Sequence, residues 1–144
     1  MSGAAVSPTR TASTVGVGDQ LSPVEVPLTR TLIVATALAS RDFQDVHHDP
    51  ELAVQRGSAD IFMNILTSNG LAERFVLGWA GPAAVLRRLK LRLGAPNYPG
   101  DTMTLTGSVQ AVDGNRVEIS VRGENSLGAH LSGLAVVELP EVTS

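Results

Sequence analysis

The hydrophobic period of this chain changes once, at Gly81-Pro82, and that change limits most of what it can fold into. From about Ala59 to Trp79, the residues Ile61, Phe62, Ile65, Leu66, Ala72, Phe75, Val76 and Trp79 recur at helical spacing and form a broad apolar stripe. Ser58 can cap this helix, and Asp60 in its first turn complements the helix dipole. Gly70 costs it about 1 kcal/mol against alanine, which is tolerable where something packs close. Beyond Pro82 the period becomes two. Val85, Arg87, Leu89, Leu91 and Leu93 alternate with Leu86, Arg88, Lys90 and Arg92. Met103, Leu105 and Val109 alternate with Thr102, Thr104, Thr106 and Ser108, and Val117, Ile119 and Val121 with Arg116, Glu118, Ser120 and Arg122. Turn sequences at 96–101, 113–115 and 126–128 separate these runs, and a last strand spans about His130 to Leu139. A helix this apolar, followed by antiparallel strands, is an α+β plan in which the sheet wraps the helix.

Upstream of the helix the pattern is mixed. Val24, Val26, Leu28 and Arg30 alternate with Glu25, Pro27, Thr29 and Thr31, which suits a first strand with Pro27 at an edge or a bulge. Leu32 to Ser40 is small and apolar, and fits either the end of that strand or a short helix. Asp49 before Pro50 is a start signal for another short helix. Residues 1–22, rich in Ser, Thr, Ala and Gly, lack apolar periodicity and read as a disordered leader. That leaves 23–140 as one domain and 141–144 as a tail. A chain of 144 residues can form one domain, burying roughly 68–70% of its unfolded surface without staples.

Between these elements lies a polar stretch, Arg41 to Pro50, carrying two imidazoles and three carboxylates. Asp42 and His47, held on one short loop, are the minimum equipment for general acid–base work on a water molecule. His47, His48 and Asp49 are too close in sequence to converge on one ion, and the chain has no cysteine, so neither a metal nor another cofactor is expected. His130 has no assignable partner and reads as structural. A net charge of -3 and few aromatic residues argue against a nucleic-acid surface. No apolar run approaches the ~18 residues needed to span a bilayer. The N-terminus shows no secretory pattern, and a chain without cysteine fits a reducing, cytoplasmic setting.

In this order, a strand, an Asp/His loop, a long helix and a strand meander resemble the hotdog fold, with about five strands around the central helix. The loop resembles that of the MaoC-type enoyl-CoA hydratases (hydratase 2), whose signature runs Gly-Asp-x-Asn-Pro-x-His-x-Asp-Pro. Arg41 to Pro50 aligns with it without a gap, placing its Asp on Asp42, its His on His47 and its Asp-Pro on Asp49-Pro50. Asn97 to Thr102 resembles the family's Pro-Gly-Asp-Thr turn, and Glu124 to Gly128 matches a further piece near the end. The likeness covers about Val24 to Leu139. Two departures stand out. The signature's Asn-Pro is Gln44-Asp45, and the His-Gly that the family often places before the central helix is Ala59-Asp60. Within the family, the chain is most similar to the small subunits of actinobacterial steroid (cholesterol side-chain) enoyl-CoA hydratases. There a small MaoC-like chain pairs with a larger one carrying its own MaoC-like domain and an OB-type domain.

The resemblance implies that water adds across a trans-2-enoyl-CoA to give a 3-hydroxyacyl-CoA, with Asp42 and neutral His47 as the catalytic pair. It implies an oxyanion hole of backbone N–H groups at the start of the helix, at Asp60 and Ile61, which would stabilise the enolate oxygen. Arg88, Lys90 and Arg92, on one face of a strand, could meet the phosphates of CoA or form an ordinary solvated face. It further implies a hetero- or homo-oligomer, with Ile61, Phe62 and the strand from Ala83 to Leu93 near the contact. Two other classes stay open: a hotdog acyl-CoA thioesterase using Asp60 or Glu73, and a non-catalytic subunit completing a partner's substrate tunnel.

Overall fold

The computed structural model describes residues 7–141. Five strands form one antiparallel sheet: β1 (Gln20–Pro27), β2 (Val85–Leu93), β3 (Thr102–Asp113), β4 (Arg116–Asn125) and β5 (Gly128–Glu138), in the spatial order β1-β3-β4-β5-β2. Three α-helices accompany it: α1 (Arg30–Ala39), α2 (Pro50–Gln55) and α3 (Ile65–Ala80). This is the expected α+β plan. The period-two runs are the strands, and their inward residues form the core.

Ala72, Phe75, Val76 and Ala80 of α3 are buried together with Met103, Leu105 and Val109 of β3, Val117, Ile119 and Val121 of β4, and Ala135 and Val137 of β5. Phe75 fits because β3 has Gly107 below it; a Cβ at Gly107 would stand 3.2 Å from the phenyl ring and 3.0 Å from the Ser120 carbonyl oxygen. The opposite face of β2 and β4 carries Arg88, Lys90, Arg92, Arg116 and Arg122, all exposed. Pro27 ends an edge strand, where its missing N–H costs no ladder bond, and β1 carries a register shift between Leu21 and Val24. The ambiguous stretch after it is helix α1, capped by Thr29, whose hydroxyl accepts from the Leu32 N–H at 3.0 Å. Asp49 caps α2 with Pro50 in its first turn, as expected.

Two expectations need correction. The central helix begins at Ile65, not near Ala59, and Ser58 and Asp60 take no part in its first turn. Residues 59–64 run without helical structure because distant partners hold their backbone. The Phe62 N–H donates to the Val46 carbonyl at 3.1 Å and the Met63 N–H to the Asn97 carbonyl at 3.1 Å. Ile61 and Phe62 fell on the helical stripe only by spacing. The second correction concerns the leader. Residues 1–6 lie outside the described residues, but Ser7 onward follows the domain surface and β1 starts at Gln20. Val15 is buried, Gly18 N–H donates to the Val109 carbonyl at 2.9 Å, and Val109 N–H donates back to Asp19 at 2.8 Å. A single buried valine and a ladder-like backbone pair hold a segment whose composition alone would leave it loose.

Candidate active site

Helix α1 ends in a left-handed turn. Arg41 has φ 56°, and its N–H and that of Asp42 donate back to the Leu38 and Ala37 carbonyls at 3.0 and 2.9 Å. The turn carries Asp42 off the helix end. Arg41 stands where the signature has glycine, the residue that adopts this φ without strain. His47 follows at the end of a 3-10 turn, Asp45–His47. Asp45 fastens that turn to α2 through Arg56, whose guanidinium holds the carboxyl below the usual carboxylate range.

The two predicted side chains meet. His47 Nε2 lies 3.3 Å from Asp42 Oδ2, and the ring is only 6% exposed, its neighbour Phe62 packing edge-on with centroids 4.9 Å apart. His47 is thus buried, not on an exposed loop. Its Nδ1 is 2.6 Å from the Phe62 carbonyl. A carbonyl only accepts, so Nδ1 carries a proton, and Nε2 is the ring nitrogen turned toward Asp42. Two acceptors that close require a proton between them, from the ring or from a molecule bound there. That is the arrangement needed to hold a water by its hydrogens and aim its oxygen.

Asp42 is oriented by a residue that sequence reasoning passed over. Asn64 donates through Nδ2 to Asp42 Oδ2 at 3.2 Å and to Ser40 Oγ at 2.9 Å. Its Oδ1 accepts from the N–H and the hydroxyl of Thr67, so the same side chain caps α3. The available signal was Asn64 itself, a strong N-cap type three residues before Thr67. Asn64 takes the Thr67 N–H, and the N–H groups of Ile65 and Leu66, in the first turn, make no hydrogen bond to another described residue.

The other candidates fall elsewhere. The Ile61 N–H is taken by Asp60 Oδ1 at 2.7 Å, and Asp60 is bound by Arg30 through two contacts of 3.0 and 2.9 Å. Neither Asp60 nor Ile61 therefore supplies the helix-terminal donors assigned to them. Ile61 is fully buried, so it forms no part of a contact surface, and the exposed apolar residues around the pair are Leu38, Phe43 (66%), Ile65 (63%) and Leu66. Glu73 is solvent-exposed on α3. Arg88, Lys90 and Arg92 stand on the sheet face away from α3 and are not brought to Asp42 and His47.

The remaining motif pieces converge as a brace. Asn97 is fully buried; its carbonyl receives the Met63 N–H and its Oδ1 accepts from Asn125 Nδ2 at 2.8 Å. Asp101 accepts from the Ser126 hydroxyl at 2.6 Å and from the Thr102 N–H at 2.8 Å, and these bonds hold its carboxyl below the usual range. Met63 is thereby fixed one residue before Asn64.

His130 proves to have two partners. Its Nδ1–H donates to the Ala95 carbonyl at 2.6 Å and its Nε2 accepts from the Ser68 hydroxyl at 2.7 Å, tying α3 to β5. Burial pushes this imidazole below its ordinary value of 6.5, with the Ala95 bond opposing. An unfolded chain then binds a proton near pH 6.5 that the folded one refuses, so folding stability rises with pH up to that value and is lost below it. Chemical denaturation between pH 5 and 8 should show this acid-side slope, and His130→Gln should flatten it.

Comparison with known proteins gives the family and the fold. The chain matches the MaoC like domain over residues 13–129. It is 54% identical, over 76% of its own length and 83% of the relative's, to the 3-oxo-4,17-pregnadiene-20-carboxyl-CoA hydratase beta subunit of Mycobacterium tuberculosis. Among solved structures, it overlays on a chain of the ChsH1-ChsH2 complex from Mycobacterium tuberculosis with a TM-score of 0.86 and 47% identity, covering 88% of this chain and 99% of that one. It shares its fold with the unliganded R-hydratase PhaJ1 of Pseudomonas aeruginosa, at a TM-score of 0.83 and 22% identity over 91% and 86% of the two chains. The sheet-wrapped helix is thus the hotdog fold, and the chain belongs to the family of MaoC-like domain proteins.

Proposed function

We propose that this chain is the catalytic small subunit of an enoyl-CoA hydratase acting on a steroid side-chain enoyl-CoA. The observation that carries this reading is His47 Nε2 facing Asp42 Oδ2 at 3.3 Å, with the other ring nitrogen pinned to the Phe62 carbonyl. Asp42 and His47 hold a water and draw off one of its protons as its oxygen bonds to C3. The alkene electrons move through C2 to the thioester oxygen. The resulting enolate collapses back, and C2 takes a proton from the same pair, so the elements of one water are added. In this reading the enolate oxygen is met by the Ile65 and Leu66 N–H groups, which are left over at the start of α3.

The substrate class rests on the hydratase beta subunit to which the chain is similar. A partner is supported by the exposed apolar collar of Leu38, Phe43, Ile65 and Leu66, and by the two-component complex of the structural relative. The partner we infer is a larger MaoC-like chain with an OB-type domain, and the assembly is cytoplasmic. Among the described residues no helix is long and apolar enough to cross a membrane. The test is turnover of a steroid enoyl-CoA by the chain alone and after co-expression with that partner, followed as loss of enoyl absorbance. Activity should appear with the partner. Release of free CoA without hydration would overturn the reading in favour of a thioesterase.

A further inference from the structure

A large cavity lies apart from Asp42 and His47. It is a groove of about 980 Å³ between the β1 edge of the sheet, α1, α3 and the segment 7–14. Val24, Val26, Leu32, Leu71, Phe75 and Trp79 are among the residues that line it. Val24 stays 44% exposed although it pairs with the buried Leu105, because the helix that covers the rest of the inner face leaves this edge bare.

Helix geometry connects this groove to the catalytic pair. Leu71, Phe75 and Gly78 follow Asn64 by 7, 11 and 14 residues, close to two, three and four turns, so all four share one face of α3. At about 1.5 Å per residue, the groove begins about 10 Å along the helix from the residue that orients Asp42.

Two details point to a ligand rather than to an unfilled corner of the core. A Cβ at Gly78 would meet nothing within 4 Å, so a glycine that costs the helix roughly 0.5–1 kcal/mol against alanine leaves room that no part of this chain uses. The outer wall is also purpose-held. The Arg10 N–H and Nε donate to the Ala80 and Trp79 carbonyls at 2.8 Å each, and the guanidinium lies 4.7 Å over the Trp79 ring. Thr9 Oγ1 accepts the Ala83 N–H at 2.9 Å, and its backbone sits against Gly81, where any Cβ would collide with it. Residues 7–12 precede the matched family domain, which starts at residue 13, so this wall is an addition to it.

We propose that this N-terminal arm closes the groove into the chamber for the far end of the acyl group. The Arg10–Trp79 clasp and the bare Gly78 are then specificity determinants that favour a wide polycyclic acyl group over a short chain. The volume is at the upper end of the roughly 300–1,000 Å³ of small-molecule sites, and the walls are mostly apolar, which suits a rigid hydrocarbon body. The proposal rests on the hydratase reading for what happens at the other end.

The test uses the full chain co-expressed with its partner, in wild-type, Gly78→Phe and Arg10→Ala forms. Each is assayed with crotonyl-CoA and with a steroid enoyl-CoA, and each is titrated calorimetrically with a saturated steroid acyl-CoA. In both variants the ratio of kcat/KM for the steroid over the crotonyl substrate should fall roughly tenfold or more, with weaker binding of the saturated ligand. Gly78→Phe should fold at least as well as wild type. A ratio and a binding constant unchanged in Gly78→Phe would overturn the chamber, and so would loss of the partner from the purified variant, which would make the groove a subunit contact. If wild type hydrates neither substrate but its binding of the saturated ligand is still weakened by Gly78→Phe, the hydratase reading falls and the chamber stands.

Discussion

Replacing His47 by Gln in the assembled protein should lower enoyl-CoA hydration by roughly 10²–10⁴-fold, the usual contribution of a positioned acid–base group. Glutamine can keep a donor near the Phe62 carbonyl, so the variant separates chemistry from folding. Alanine would not, since it leaves that carbonyl buried without its 2.6 Å partner, at a cost of about 1–3 kcal/mol. Asp42→Asn should lose activity to a similar degree, because an amide cannot balance the charge that forms on the ring. The measurement is kcat/KM on variants shown by thermal melts to be folded. Wild-type turnover from a folded His47→Gln assembly would remove His47 from the mechanism.

Asn64→Asp should be nearly as damaging to turnover while keeping the helix cap. Aspartate is as good an N-cap as asparagine, so the Thr67 N–H keeps its acceptor, while a second carboxylate buried beside Asp42 should lower the melting temperature. The Nδ2 that donates to Asp42 at 3.2 Å is replaced by a second carboxylate oxygen. Like charge beside Asp42 disfavours its ionised form, so the acid limb of the rate profile should move to higher pH and kcat should fall at least roughly tenfold. A purely structural asparagine would show neither change. Recovery of kcat at raised pH would identify the repulsion as the cause.

The strands and the meeting of Asp42 with His47 were legible because each is a local matter. A period of two over β2 to β5 needs no knowledge of what lies opposite, and Asp42 and His47 are separated by one turn of chain. What stayed hidden was decided at long range. Ile61 and Phe62 carry a helical spacing, yet Val46 and Asn97 draw the backbone around them out of the helix. Only that displacement puts Asn64, rather than Ser58, at the cap. His130 looked partnerless because Ser68 lies 62 residues away in sequence. The arm looked like a tail because its anchors, Trp79, Ala80 and Val109, are equally remote.

The left-handed turn at Arg41 bears on how such sites diverge. A side chain at φ 56° costs on the order of 1 kcal/mol, and two backbone bonds to α1 hold it there regardless of which side chain is present. Asp45, at the place of a signature proline, is spent on Arg56 and does not touch the pair. The letters of the signature can therefore drift at 41, 44 and 45 while Asp42 and His47 keep their places. What holds the pair here is a backbone shape, and a search keyed to the signature's glycine and Asn-Pro would pass over a chain that presents the same two side chains in another spelling.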